Sequence, residues 1–592
     1  MKKQLLALVI GATLAGCASQ NNMLPQQTPI KSLSLDVVGS YVSGSEFDTS
    51  SAEIVSYDKT TDRLYVVNAE NKSIDVLGFN NNDQPVKAGS INLKSAAEAA
   101  NIAIGAANSV SAKKGLVAVA IENSNKQKDG IIALYRSDDL SLINTYPAGA
   151  LPDMVILTED GNHILAANEG EPSKDYSVDP EGSVTLIDIS SGTNNSKAVV
   201  KQINFHDFNQ GNPRYSELKS VRLPRPHGAT VSQDLEPEYI ALTDDGKAVI
   251  ALQENNALAV IDIASAKIET INGLGLKSWA DKETGGYGYQ LDLTNKDGKF
   301  SLASYPQLAG YYMPDTIAGF SVYGQQYVIT ANEGDGREYI YETTQSKCEG
   351  KGHKWDSDDS SNSASYTTTS GDCISYTDET RGKKLKVAEQ HPLMNRAVYG
   401  DNTIANGKAI GRIKVVVDNA EAYKVAADQT IKTFGARSFS IWTLNGEQVF
   451  DSGDQLSKLA NTAQHFNASN DTNESDDRSD DKGVEPEAVE VAKINGNTLA
   501  FIGLERQGGI AVYNVSNPKA PVFLDYVNNR NFTADVCTEV DKDGECANGT
   551  YNPKVKDLGP ESIEYFTRQG EHFIAVGNEV SGTTTVYKLN II

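Results

Sequence analysis

Short apolar runs recur in pairs along the chain, and the first member of each pair closes on a glutamate. These runs are Tyr65–Glu70, Val117–Glu122, Ile164–Glu169, Val249–Glu254, Val328–Glu333, Phe501–Glu505 and Ile574–Glu579. Their partners follow a polar break, at Ile74–Leu77, Gly130–Tyr135, Ser183–Ile189, Leu258–Ile263, Ser438–Trp442, Gly509–Tyr513 and Thr584–Tyr587. Runs this short, rich in β-branched and aromatic residues and bounded by turn formers, read as strands. Seven copies of the pair make a repeat architecture, in which each unit buries its apolar faces against its neighbours.

The third unit shows the full pattern. Pro152–Thr158, a turn at Glu159–Gly161, His163–Ala167, Ser183–Ile189 and Val199–Phe205 give four strands. Asp-Gly and Asn-Gly turns at Asp244–Gly246 and Asn495–Asn497 punctuate other units at the matching point. The last unit reaches Ile592 after its third strand, while Asp36–Val42 is a strand with no unit of its own. Joining the two removes an exposed sheet edge, so the pattern predicts an all-β fold: a seven-bladed β-propeller closed by an N-terminal strand. An eight-bladed ring or two β domains would need a further repeat inside Gly336–Lys432, the longest insertion. Others span His206–Leu223, Lys277–Leu308, Ser457–Lys482 and Asn528–Leu558, and loops on a rigid scaffold are where binding concentrates.

Lys2 and Lys3, the apolar run Leu5–Leu14 and the small residues before Cys17 resemble the signal and lipobox of bacterial lipoproteins. The chain then divides into a signal peptide over residues 1–16, a tether over 17–32 and the propeller over 33–592, with its insertion at 336–432. The expectation is an exported lipoprotein at the outer membrane or cell surface, lipidated at Cys17 and touching the membrane only through that lipid. Cys348, Cys373, Cys537 and Cys546 fall into two local pairs, which in an oxidising compartment read as two disulfides. The formal net charge of −25 disfavours nucleic acid and anionic membrane as partners and favours cations.

A second pattern sits where each first strand begins. A carboxylate follows proline at Asp153, Glu238, Asp315, Glu487 and Glu561, and Glu53 holds the matching place in the first unit. Because the second strand runs back antiparallel, its closing glutamate returns to the same face, so both series surround one channel mouth. Carboxylates crowded in this way need cations, N–H donors or raised pKa values. Hard oxygens without a Cys-His cluster suit Ca²⁺ or Mg²⁺. The glutamates closing second strands have a structural alternative, as ties that accept backbone N–H groups between blades.

Rim residues add to both series. Asp335 and Arg337 follow Glu333; Asp480, Asp481, Lys482 and Glu485 precede Glu487; Arg506 follows Glu505. Metal ligands drawn from Glu238, Asp315, Glu333, Asp335, Asp480, Asp481, Glu485, Glu487 and Glu561, with Arg337 and Arg506 on an oxyanion, would suit a phosphate bridged to metal. Plain salt bridges would use the same residues. The acid-rich run Asn467–Asp481 lacks the spacing of a twelve-residue calcium loop. No Gly-x-Ser-x-Gly, His-Glu-x-x-His or phosphate-cradling glycine loop occurs.

Several segments together resemble the choice-of-anchor I family: Gly149–Asp153, Ala167–Pro172, Asp234–Glu238, Ala331–Glu338, Arg478–Gly483 with Glu485–Glu487, and Gly559–Glu561. That family includes mesenchyme-specific cell-surface glycoproteins of biomineralising animals and exported bacterial proteins, some described as atypical alkaline phosphatases. The resemblance implies a surface β-propeller associated with calcium or mineral, with phosphoester hydrolysis in some members. Three readings follow. The leading one is a surface lipoprotein that binds divalent cations at an acidic channel mouth and presents loops to a surface or matrix ligand. The second is a metal-dependent phosphoric monoester hydrolase acting on phosphate esters, and the third a metal-free structural or adhesion module.

Overall fold

The computed structural model describes residue 30 and residues 32–356, 371–461, 465–470, 472–539, 546 and 551–592. Cys17, the signal segment and nearly all of the tether lie outside the described residues.

Alternation along the second strands explains the architecture. In Arg63–Asn68, Tyr65 and Val67 join one apolar cluster with the next unit's Val117 and Val119, while Leu64 and Val66 join another with Phe566 and Phe573. Each sheet is therefore apolar on both faces and sandwiched between two others, each buried Val or Leu contributing ~1.5–3 kcal/mol. Among the described residues the strands form seven four-stranded sheets, and each sheet shares an apolar core with the next. The first strands touch one another in a closed order, the seventh returning to the first. This is the arrangement of a seven-bladed β-propeller.

The closure is the one the orphan strand predicts. Leu33–Val42 pairs antiparallel with Thr583–Ile591, from Leu33 opposite Ile591 to Val42 opposite Thr583, and becomes the outer strand of blade seven. In blade five, Gln325–Asn332 pairs with Ser438–Thr443 across the long insertion. That insertion holds only two- and three-stranded sheets, so it hides no eighth blade among the described residues. Its ends cross beside Glu333. Gly334 and Gly435 have φ of 89° and 67°, and a Cβ on either would lie 2.0 Å from the other end's backbone, so glycine is required at both.

The insertions are packed. Trp279, Leu291, Leu293 and Leu308 from the loop between blades four and five share a core with Leu393, Ile404, Ile413 and Ile431 of the long insertion. Both expected disulfides are present, Cys348–Cys373 and Cys537–Cys546. No helix among the described residues is long and apolar enough to cross a membrane.

Candidate cation site at the channel mouth

The repeated Pro-Asp/Glu pair coincides with a break in strand register. Pro152, Pro486 and Pro560 face Asn168, Leu504 and Asn578, after which pairing resumes at Met154, Val489 and Ser562, leaving Asp153, Glu487 and Glu561 in bulges. Blades four and five show the same two-against-one pairing: Glu238 N donates to Ala251 O at 3.1 Å and Ala251 N to Tyr239 O at 2.8 Å. Likewise Asp315 N donates to Ala331 O at 3.2 Å and Ala331 N to Thr316 O at 3.0 Å. Proline loses no donor at the strand start, and the bulge re-aims the carboxylate that follows.

The result is a convergence of carboxylates from different blades. Oxygens of Asp315, Glu487 and Glu561 lie within 4.8 Å of one another, as do oxygens of Glu333, Glu487 and Glu505, so Glu487 belongs to both groups. One carboxylate oxygen of each of Glu238, Glu254 and Glu487 is buried with no hydrogen-bond donor. Burial first, and like charge after it, push the Glu238, Asp315, Glu487 and Glu561 carboxyls well above the usual range. Asp153, half-buried, is pushed up to about 7, chiefly by desolvation. A buried carboxylate without donors demands a proton or a cation.

A cationic wall stands beside these groups. Glu485, fully buried and held at φ 51°, takes Arg478 at 2.7 Å, Lys482 at 3.2 Å and Arg506 at 3.4 Å. Burial would raise its pKa, but these three cations hold its carboxyl well below the usual range. Lys482 reaches on to Glu333 and, at 3.6 Å, to Asp335. Burial would depress its ammonium, but Glu333, Glu485 and Asp335 hold the pKa well above its ordinary value. A cleft of about 440 Å³ opens between this wall and Glu169, Glu171, Glu254 and Asp335.

Of the residues expected at the site, Asp315, Glu333, Glu487 and Glu561 come together, and Glu238 lies at the same mouth. Others have different work. Asp480 is committed to Arg381 at 2.9 Å and Arg412 at 2.5 Å, and Asp481 to Lys414 and Arg478, both at 3.2 Å. Glu485 is saturated by its three cations rather than open to a metal. Arg337 is not free for an anion: its side chain is 1% exposed and bridges Asp234 at 2.7 Å and Glu236 at 2.6 Å. Asp335 is 56% exposed at the rim, and Arg506, 28% exposed, remains on the cleft wall.

Glu505 joins the second group, although its Oε1 already takes Asn470 Nδ2 at 3.3 Å and Arg506 Nε at 3.0 Å; its place in the repeating glutamate series is the signal that points to it. Within that series Glu333 takes a side-chain donor from the preceding blade, Gln253 Nε2 at 2.9 Å, while backbone N–H ties between blades are made by other residues. Ser56, Ser111 and Ser562 accept N–H groups of Ala112, Leu157 and Val55 from the following blade, each at 3.0 Å. Glu564 accepts Tyr57 N–H at 3.1 Å. Of the glutamates closing second strands, Glu122 does accept a backbone N–H, from Ala106 at 3.0 Å, but within its own blade.

Fold and mouth together define an acid-mouthed β-propeller with a packed insertion over one rim. The chain belongs to the choice-of-anchor I family, whose domain model matches residues 53–518. It is 26% identical over 357 residues to the mesenchyme-specific cell surface glycoprotein of Strongylocentrotus purpuratus, covering 55% of this chain and 42% of that one. Gigasin-3a of Magallana gigas is 23% identical over 203 residues, 31% of this chain and 66% of that one. The chain thus spans less than two thirds of either relative. Among solved structures, Kuenenia stuttgartiensis hydrazine synthase superposes over 93% of this chain and 99% of its own, with a TM-score of 0.42 and 9% identity, a likeness too loose to bear on function.

Proposed function

We propose that this is a cell-surface protein whose propeller holds divalent cations of the Ca²⁺ or Mg²⁺ class at the channel mouth and presents the adjoining mixed-charge cleft to a surface or matrix ligand. The observation that carries the reading is Glu487: it is shared by two carboxylate groups, and one of its oxygens is buried without a donor. Hard cations take several carboxylate oxygens at once, which this convergence supplies. The surface placement draws on the name of the sea-urchin relative and on the lipobox at Cys17, whose lipidation is part of the proposal. Thermal unfolding of the full chain with Ca²⁺, with Mg²⁺ and with chelator tests it. A stabilisation that saturates with the cation is expected, and an unchanged unfolding temperature would favour a metal-free adhesion module.

A phosphoric monoester hydrolase is the second reading, favoured by the juxtaposition of the shared Glu487 with Lys482 and Arg506. Two ions bridged by one carboxylate, with cations beside them for an oxyanion, is the layout of two-metal phosphoryl chemistry. Hydrolysis of p-nitrophenyl phosphate under a series of divalent metals decides it: turnover lost in Glu487→Gln would support an enzyme, and no turnover with any metal would end that reading.

A further inference from the structure

Away from the mouth, the Lys277–Leu308 and Ser457–Lys482 loops meet at Asp476. This residue is 3% exposed, and neither of its carboxylate oxygens makes a hydrogen bond. The Ser479 hydroxyl and the Gly298 N–H lie close enough to favour its charged form without reaching hydrogen-bond geometry, and two further carboxylates, Asp292 and Asp297, oppose it. Burial pushes Asp476 up to about 6.

Two amides bring more unpartnered oxygen to the same contact. Asn467 is 1% exposed; its Nδ2 donates to Ser479 Oγ at 2.8 Å, and its Oδ1 is buried without a donor. Asn295 Nδ2 donates to Asp477 O at 3.3 Å, and its Oδ1 is likewise buried and unpartnered. The neighbouring cation does not answer them, because Arg437 donates to the backbone carbonyls of Asp292, Ser479 and Asp481 at 3.0, 2.9 and 2.7 Å. Asp292 is satisfied by the N–H groups of Ser301 at 2.8 Å and Thr294 at 3.3 Å, so it supplies field rather than an open ligand. Buried polar groups are ordinarily paired, and four unpaired oxygens on three residues of one loop contact call for a common partner.

We infer that these loops form a second site for a hard divalent cation of the Ca²⁺ class, centred on the Asp476 carboxylate and completed by Asn295 Oδ1, Asn467 Oδ1 and water. A mixture of carboxylate, amide and water oxygens is what Ca²⁺ accepts, and Mg²⁺, with its stricter octahedron, fits less readily. The site does not depend on the mouth. Its consequence reaches there nonetheless: Asp476 directly precedes the segment carrying Arg478, Lys482 and Glu485, so an ion at Asp476 pins the cationic wall to the inter-blade loop, whose Phe300 already packs against Phe466 in a tilted pair with ring centroids 5.3 Å apart.

Diffraction from the full chain crystallised with Tb³⁺ in place of Ca²⁺ tests the inference. An anomalous peak bonded to Asp476 is expected; peaks at the mouth alone, or none, would overturn it. In solution, Glu487→Gln/Glu561→Gln should keep a class of Tb³⁺ luminescence that Asp476→Asn lowers in affinity at least tenfold. If Asp476→Asn fails to fold, Asn467→Ala and Asn295→Ala should each weaken the same class, and unchanged affinity in both would contradict the assignment.

Discussion

Two pairs of glutamates, three residues apart on the same first strands of blades six and seven, have opposite environments. Glu487 and Glu561 sit at the bulges of the mouth and converge with Asp315, and a buried oxygen of Glu487 has no donor. Glu490 and Glu564 line a cavity of about 710 Å³ among the first strands. There Glu564 accepts Tyr57 N–H from blade one, and the Tyr565 N–H of blade seven lowers the pKa of Glu490. The same side chain is thus a blade tie where the neighbouring strand offers N–H groups and an open ligand where a bulge has turned it away from them. Donor supply, more than the density of acid, separates structure from site in this ring.

Converting a satisfied carboxylate into an open one should cost most. Arg337→Ala leaves Asp234 and Glu236 buried and unpaired, and removing one partner of a buried pair costs ~3–5 kcal/mol. Urea unfolding should show a midpoint lowered to match, with cation dependence retained.

The next effect runs the other way. Glu487→Gln/Glu561→Gln should remove the mouth's share of the cation-dependent rise in stability, about 2.7 kcal/mol at a hundredfold excess over the Kd of that site, and leave any share contributed at Asp476. Without cation the double variant should be more stable than the parent, because like charge has been removed. Differential scanning calorimetry in Ca²⁺ and in chelator measures both; a variant that still responds fully to Ca²⁺ at the mouth would break the contrast.

The inner pair supplies the smaller effects. Glu564→Gln keeps an acceptor for Tyr57 N–H, so it should shift stability by less than ~1.5 kcal/mol and leave cation binding unchanged. It also has a pH signature. Burial pushes Glu490 up to about 8 and Glu564 up to about 7. With folded values above unfolded ones, their contribution is complete below about pH 4, where the unfolded carboxyls ionise. It is lost as pH rises to between 7 and 8. Unfolding temperature against pH in chelator should fall across that window, and less steeply in Glu564→Gln.

The sequence made the ring legible because its signal is local and repeated. Alternating strands, the orphan run Asp36–Val42 and the Pro-Asp/Glu pairs each state their own role within a few residues. The mouth was legible to the same extent, through Asp315, Glu487 and Glu561. The rim was not. Arg337 finds Asp234, which is 103 positions away, and Asp480 finds Arg381 and Arg412 of the insertion. Non-repeating loops choose such partners by tertiary packing, which no periodic pattern records. Glu505 shows the converse, since a glutamate that recurs in every blade looks structural, yet here its oxygen lies within 4.8 Å of oxygens of Glu333 and Glu487.

The central claim rests on cations at the mouth, and calorimetric titration of the chelator-treated full chain tests it most directly. The account predicts saturable Ca²⁺ or Mg²⁺ binding in the parent, with a class of sites lost in Glu487→Gln/Glu561→Gln and kept in Glu564→Gln. Identical isotherms for all three proteins would contradict it.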